Sequence, residues 1–211
     1  MKILIGHTHY IVPGGEDSSV TVEKSLLVEH GHHILEYYRD NREIHSYSFL
    51  QNLRLFFSTS WSQAVYAEIY QLCIQKQPDI AHFHNTFPLL SPAVYYACRD
   101  AHVPVVQTLH NYRLICPGGL LLREGKNCEL CLNHSVYKAV QYRCYRNSAV
   151  QTLAVSRMLA YHRNKNTWNT QVDRYIALTD FAKRVFVRGG LPMDKITIKP
   201  NFTMNPCTIE H

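Results

Sequence analysis

The feature that most limits what this chain can fold into is an alternation repeated six times, in which a short apolar run is followed by a stretch with helical spacing. The runs are Ile3-Leu4-Ile5, His33 to Tyr38, Ile80 to His84, Val103 to Leu109, Arg174 to Leu178 and Lys195 to Lys199. Strands separated by helical crossovers pair in parallel, and right-handed crossovers lay helices on both faces of the sheet. The expected fold is α/β, a three-layer parallel sheet of about six strands. At 211 residues with 46% hydrophobic and 18% charged, the chain is long enough to bury a real core, which excludes a disordered class.

Helix signals fill the gaps. Ser18 and Ser19 are expected caps for a helix carrying Val22, Leu26 and Leu27 and ending before Gly31. Ser60 is expected to cap a helix with Trp61, Ala64, Val65, Ile69, Leu72 and Cys73 on one face. Ser91-Pro92 opens another, running to Ala101. Two more are expected over 135–145 and 149–161, and a short one from Thr179 or Asp180 to Gly189-Gly190. Residues 41–59 mix the helical spacing of Phe49, Leu53, Phe56 and Phe57 with Ser and Asn, and read as a lid-like or loosely helical insertion. No apolar run is long enough to span a bilayer and no secretory leader is visible, so a soluble, cytoplasmic protein is expected, with its seven cysteines in a reducing compartment.

Function in parallel α/β sheets gathers at the carboxyl ends of the strands. Gly14-Gly15, after the first run, allows close backbone approach by a ligand, and the next helix N-terminus favours a phosphate. Glu16 and Asp17 suit the same helix dipole and would partly compete with that phosphate. Three runs end in histidines: His7 and His9, His82 and His84, and His110. Two chemistries compete for them. Twin His-x-His pairs could hold a metal for hydrolysis, or the rings could bond the hydroxyls of a polar substrate while one moves a proton. The metal reading ranks second, for want of a carboxylate at another strand end.

Two further features begin in the one irregular region, 113–145, the second running on to Val172. Cys116, Cys128, Cys131 and Cys144 form a Cys-x11-Cys-x2-Cys-x12-Cys series that suits a structural zinc, with an iron–sulfur cluster or free thiols as alternatives. From Leu130 to Val172 there is no Asp or Glu, while Lys138, Arg143, Arg146, Arg157, Arg163 and Lys165 are interleaved with tyrosines and Trp168. A basic, aromatic helix pair suits an anionic membrane surface or a phosphate-bearing acceptor. Nucleic acid is excluded as a partner because no recognition motif accompanies the charge.

Taken together, Pro13-Gly14-Gly15-Glu16-Asp17, Gly31-His32, Pro78 to His84, Val105 to His110 and the closing Ala177-Leu178-Thr179 to Lys199-Pro200-Asn201 make the chain resemble the N-terminal, acceptor-side domain of the family 4 glycosyltransferases. These are retaining enzymes of the two-domain GT-B fold, and the insertion from Cys116-Pro117-Gly118-Gly119 to Cys131 is similar to that of one subgroup. The resemblance implies a Rossmann-like domain over 1–200 with its insertion at 113–145. It implies that Gly14 and Gly15 approach the diphosphate of a nucleotide-sugar donor and that His110 is the catalytic contact to the donor sugar. His9, His84, Asn85 and Asn111 would face a glycan or lipid-linked acceptor. No catalytic metal is implied, because the leaving diphosphate can itself take the acceptor proton. Family members continue into a second, C-terminal GT-B domain. Residues 201–211 are expected to begin the linker to it, in the same or a separate chain, and the fragment alone is expected to be inactive. A metal-dependent hydrolase and a non-catalytic docking domain are the alternatives.

Overall fold

The structure, a computed structural model, describes residues 1–12 and 14–203. Pro13 of the glycine turn, and the expected linker beyond residue 203, lie outside the described residues. In chain order the elements are β1 (Lys2–His9), α1 (Gly15–Glu29), β2 (His33–Asp40), α2 (Phe49–Ser58), α3 (Gln63–Lys76), β3 (Ile80–Phe83), α4 (Ala93–Asp100) and β4 (Val105–Leu109). There follow a small hairpin β5 (Leu122–Arg123) and β6 (Lys126–Asn127), then α5 (Leu130–Asn133), α6 (Lys138–Gln141), α7 (Ala149–Asn164) and α8 (Thr167–Thr170). The last elements are β7 (Arg174–Ala177), α9 (Asp180–Arg188) and β8 (Ile196–Ile198). Six strands form one parallel sheet in the order β2-β1-β3-β4-β7-β8, as the six apolar runs imply.

Strand alternation splits the core in two. Ile3 and Ile5 of β1 face α1, where they pack with Val20 and Leu27. Leu4, Ala81, Phe83 and Val105 face the opposite layer and join Ile69 of α3, Val94 and Tyr95 of α4, and Val155 and Leu159 of α7. Every polar residue at an Ile3-type position therefore points at α1.

Several boundaries differ from the sequence expectation, each for a local reason. Gly14, not Ser18 or Ser19, caps α1. Asp17 reaches back to the Gly14 amide (3.1 Å), and the two serine hydroxyls fold onto the Gly14 and Gly15 carbonyls instead. Ser62 rather than Ser60 caps α3, because its amide is held by the buried Ser91 hydroxyl at 3.0 Å. Trp61 thus precedes the helix and stacks on Tyr66. The 41–59 segment is a 3-10 turn over Asn41–Ser46 followed by α2, a true helix with a Ser48/Gln51 capping box. The helix expected over 135–145 shrinks to one turn. Arg143 takes a left-handed φ of 48°, and the Cys144 amide closes back on the Ala139 carbonyl at 3.2 Å.

Gly6 sits on β1 against the ring of Phe83, and a Cβ there would overlap that ring. Because Phe83 is wholly buried, Gly6→Ala is expected to destabilise the protein by about 1–3 kcal/mol through overpacking. Urea unfolding reads the loss, and Phe83→Leu in the same chain should recover part of it.

Candidate functional site

Alternation and register assemble the site. His7 and His9 continue the α1-facing row of β1, His82 and His84 continue that of β3, and Thr108 and His110 that of β4. Parallel pairing aligns Ile5 with His82 and His82 with Val106, so the rows end side by side. Pairing runs past the end of β3: the His84 amide bonds the Gly6 carbonyl (3.0 Å) and the Thr8 amide bonds the Asn85 carbonyl (2.8 Å).

Helix α1 supplies the acids. Asp17 Oδ1 is shared by His7 Nε2 at 2.8 Å and His9 Nδ1 at 3.1 Å. The Asn85 amide donates to His7 Nδ1 (3.3 Å), so this ring carries its proton on Nε2 and donates to Asp17. Burial holds the His7 ring below its ordinary pKa, and so neutral, against the opposing pull of Asp17. Two turns on, Glu23 lies 3.3 Å from His82 Nδ1 and accepts from Lys199 Nζ at 2.9 Å, while His82 Nε2 meets the Thr108 hydroxyl at 2.8 Å.

At the mouth, His84 Nδ1 and His110 Nε2 are 3.0 Å apart in stacked rings. Burial, with the neighbouring imidazoles, pushes His84 well below the histidine range, and burial lowers His110 to about 4. Both rings are neutral at physiological pH. His84 Nε2 is buried without a partner. A buried unpaired N–H is the costlier orphan, so the His84 proton is assigned to Nδ1, donating to His110. His110 then presents its Nδ1–H outward, a donor suited to a sugar hydroxyl or a phosphate oxygen.

A small cleft of about 40 Å³ is lined by His84, Asn85, His110, Asn111 and Arg113, among others. The structure thus brings four of the sequence candidates together. Asn85 spends its side chain on backbone, donating to the Thr8 carbonyl (2.9 Å) and accepting from the Phe87 amide (3.0 Å). Asn111 bridges outward, donating to the Tyr10 hydroxyl (3.2 Å) and to Glu16 (3.4 Å). His9, Gly14 and Gly15 do not line this cleft and stand on the far side of Asp17 and Glu16. Both glycines are exposed, with open space around them.

Sequence reasoning missed Glu16, Glu23, Arg113 and Lys199 as members of the site. Glu16 is raised to about 7 by burial, accepts from Tyr10 (2.8 Å), and leaves its Oε1 buried and unpartnered. Arg113 lies beside the rings of Phe87 and Tyr145, each centroid 4.9 Å away, where the two rings meet edge to face at 5.3 Å. The available signal was the helical spacing of Glu16, Val20, Glu23 and Leu27, which puts both acids on the sheet-facing stripe.

A family model described as Glycosyltransferase Family 4 matches residues 6–203. Among solved structures, HepE from Anabaena in complex with UDP is similar at 16% identity and a TM-score of 0.48, over 95% of this chain and 44% of that one. MnaA from S. aureus, in a UDP co-structure, is similar at 13% identity and a TM-score of 0.51, over 95% and 45%. The UDP-N-acetylglucosamine 2-epimerase from Rickettsia bellii shows 12% identity and a TM-score of 0.49, over 95% and 45%. The chain therefore spans less than half the length of these structures. A comparison with curated proteins gave no match.

The buried imidazoles make acid lability predictable. A ring whose pKa is depressed on folding loses stability as pH falls below its unfolded value of 6.5, because the unfolded chain takes up the proton first. For His110 the loss runs from about pH 6.5 down to about 4. Glu16 acts oppositely, losing stability as pH rises from 4.5 through about 7. Unfolding midpoints across pH 4–8 should show His110→Asn flattening the acid limb and Glu16→Gln flattening the slope between 4.5 and 7.

Proposed function

The chain belongs to glycosyltransferase family 4, and from that premise we propose that it is the Rossmann-like, acceptor-side domain of a nucleotide-sugar-dependent glycosyltransferase acting with retention of configuration. The carrying observation is the neutral His84–His110 pair at adjoining strand ends, presenting one oriented N–H beside Arg113. A neutral donor and a fixed cation suit a polar, phosphate-bearing substrate better than a cluster of charged imidazoles would.

In the proposed reaction the bond from the sugar's anomeric carbon to the donor diphosphate breaks while the acceptor oxygen bonds that carbon on the same face. The leaving phosphate oxygen takes the acceptor proton, so no protein nucleophile is needed. His110 Nδ1–H orients a sugar hydroxyl or stabilises the departing oxygen. The exposed turn at Gly14-Gly15, outside the histidine cleft, would receive the diphosphate at the first free amides of α1. Asp17 accepts from two histidines and burial raises Glu16 to about 7, which weakens the repulsion an anion meets from Glu16. UDP in the MnaA co-structure accords with a uridine nucleotide donor. The family's second domain, in the same or another polypeptide, would supply the rest of the donor site.

For the acceptor, a groove of about 270 Å³ between α2 and α7 shares Phe87 with the histidine cleft and carries Arg146 at its rim. Phe49, Leu50, Leu53 and Phe57 of α2 stand exposed beside it, on a flank with no acid from residue 130 to 172. That composition supports an acceptor presented at an anionic membrane face. Among the described residues, no helix is long and apolar enough to cross a membrane.

A second reading keeps one supporting observation. His7, His9 and Asp17 place three metal-capable atoms within 4.8 Å of one another, as do Glu23, His82 and His84. These provide the carboxylates a hydrolytic metal centre needs. At the second set the Lys199 ammonium already holds Glu23 and opposes a cation.

With the second domain present, His110→Ala should lower sugar transfer by about a hundredfold or more while leaving the urea midpoint near wild type. Transfer at wild-type rate would remove His110 from the mechanism. Sedimentation with anionic vesicles should retain the wild-type chain, and Phe49→Ser with Arg146→Glu should release it. Equal sedimentation with neutral vesicles would remove the membrane clause.

A further inference from the structure

The insertion between β4 and α7 carries a second constellation that the sugar-transfer chemistry leaves unused. Four thiols come from separate turns: Cys116 from the loop behind Asn111, Cys128 after β6, Cys131 in α5 and Cys144 in the left-handed closure after α6. Short backbone bonds fix each turn. The Cys116 amide donates to the Tyr112 carbonyl (2.8 Å), that of Cys128 to the Leu121 carbonyl (2.8 Å), and that of Cys144 to the Ala139 carbonyl (3.2 Å). Gly118 forms the floor. A Cβ at this position would lie 3.8 Å from Cys116 Sγ, 3.5 Å from Cys144 Cβ and only 3.2 Å from the Cys144 carbonyl, so glycine is what lets these two cysteines close on one point.

We propose that Cys116, Cys128, Cys131 and Cys144 are the four ligands of a structural zinc ion that staples the insertion to the wall of the cleft.

Donor chemistry supports this. A Cys-x2-Cys pair on a tight turn plus two outlying thiolates is the ligand set of closed tetrahedral zinc sites. The fold brings the four from separate turns to one side of the cleft, with Cys116 and Cys144 flanking Gly118 and Cys131 buried. A tetrathiolate zinc centre bears a net charge of −2, and two arginines stand ready to offset it. Arg163 is half-buried beside Cys131 and Cys116, with its Nη2 on the Ile115 carbonyl (3.1 Å). Arg123 lies by Cys128 and Cys144, and its Nη1 is buried without a partner. Among the described residues the sets of metal-capable atoms within 4.8 Å are the two histidine–carboxylate triads, so the four sulfurs would have to close up around the ion.

The staple has a consequence for the cleft. Arg113 donates Nη1 to the Pro117 carbonyl (3.2 Å), packs against Gly119, and lies on the ring of Tyr145, the neighbour of Cys144. One ion joining Cys116 to Cys144 would fix both walls around this cation.

Elemental analysis of the chain purified under reducing conditions tests the proposal, and it does not depend on any transferase activity. The expected result is about one zinc per chain, lost in Cys128→Ser and in Cys131→Ser and kept in His7→Ala and Glu23→Gln. Cobalt exchanged into the wild-type chain should show thiolate-to-cobalt charge transfer and a tetrahedral d–d spectrum, a readout that survives if the cysteine variants fail to fold. Zinc that persists in the cysteine variants and leaves with His7→Ala would overturn the assignment. So would iron with a cluster chromophore, or a metal-free native chain in which all four thiols react freely with a thiol reagent.

Discussion

The interaction on which the rest depends is the sharing of Asp17 between His7 and His9. It is one helix acid answering a row of imidazoles that strand alternation has no freedom to place elsewhere. Because Ile3 and Ile5 must face α1, His7 and His9 face it too, and a buried ring without a partner would cost about 1–3 kcal/mol. Asp17 meets that demand, and its second oxygen also caps the helix through Gly14. Fold and site are thus one construction here. The turn that begins α1 is held by the carboxylate that orients the first pair of histidines. Glu23, two turns later, repeats the arrangement for His82 and ties in Lys199 from the far end of the sheet.

Burial first, then neighbouring charges, holds His7, His82, His84 and His110 below the ordinary histidine range, so these four rings act as neutral donors and acceptors rather than as a cationic patch. Positive charge at the site comes from Arg113 and from Lys199, and burial raises Glu16 to about 7. Directional neutral donors beside a guanidinium form an environment suited to reading hydroxyls and phosphate together.

The sheet was legible because buried parallel strands are short continuous apolar runs, and all six were readable from Ile3-Leu4-Ile5 to Lys195–Lys199. The convergence of His84, Asn85, His110 and Asn111 was legible for the same reason, since strand ends in such a sheet are neighbours. What the sequence hid was mostly decided across distance. Ser62 displaces Ser60 as a cap because Ser91, remote in sequence, holds its amide. Arg143 ends a helix through a left-handed φ that an arginine does not advertise. Glu16 reads as an ordinary first-turn acid until Tyr10 and Asn111 enclose it. Lys199 reads as a strand-end lysine until its ammonium reaches α1.

The irregular insertion departs from the alternation because it performs a different task. A parallel α/β sheet closes its own core without help, and the stretch from Arg113 to Cys144 adds little regular structure: a two-residue hairpin and two single-turn helices. Ile115, Val136 and Ala139 anchor the insertion in the main core, while a segment so poor in backbone ladder draws the rest of its order from side-chain contacts. Arg113 is placed by contacts to the rings of Phe87 and Tyr145 and by donation to the Pro117 carbonyl, and two of these three partners come from the insertion. The placing of Arg113 in the cleft therefore depends on the insertion, and its four thiols, two of them flanking Gly118, are the part of it whose chemistry could stiffen it.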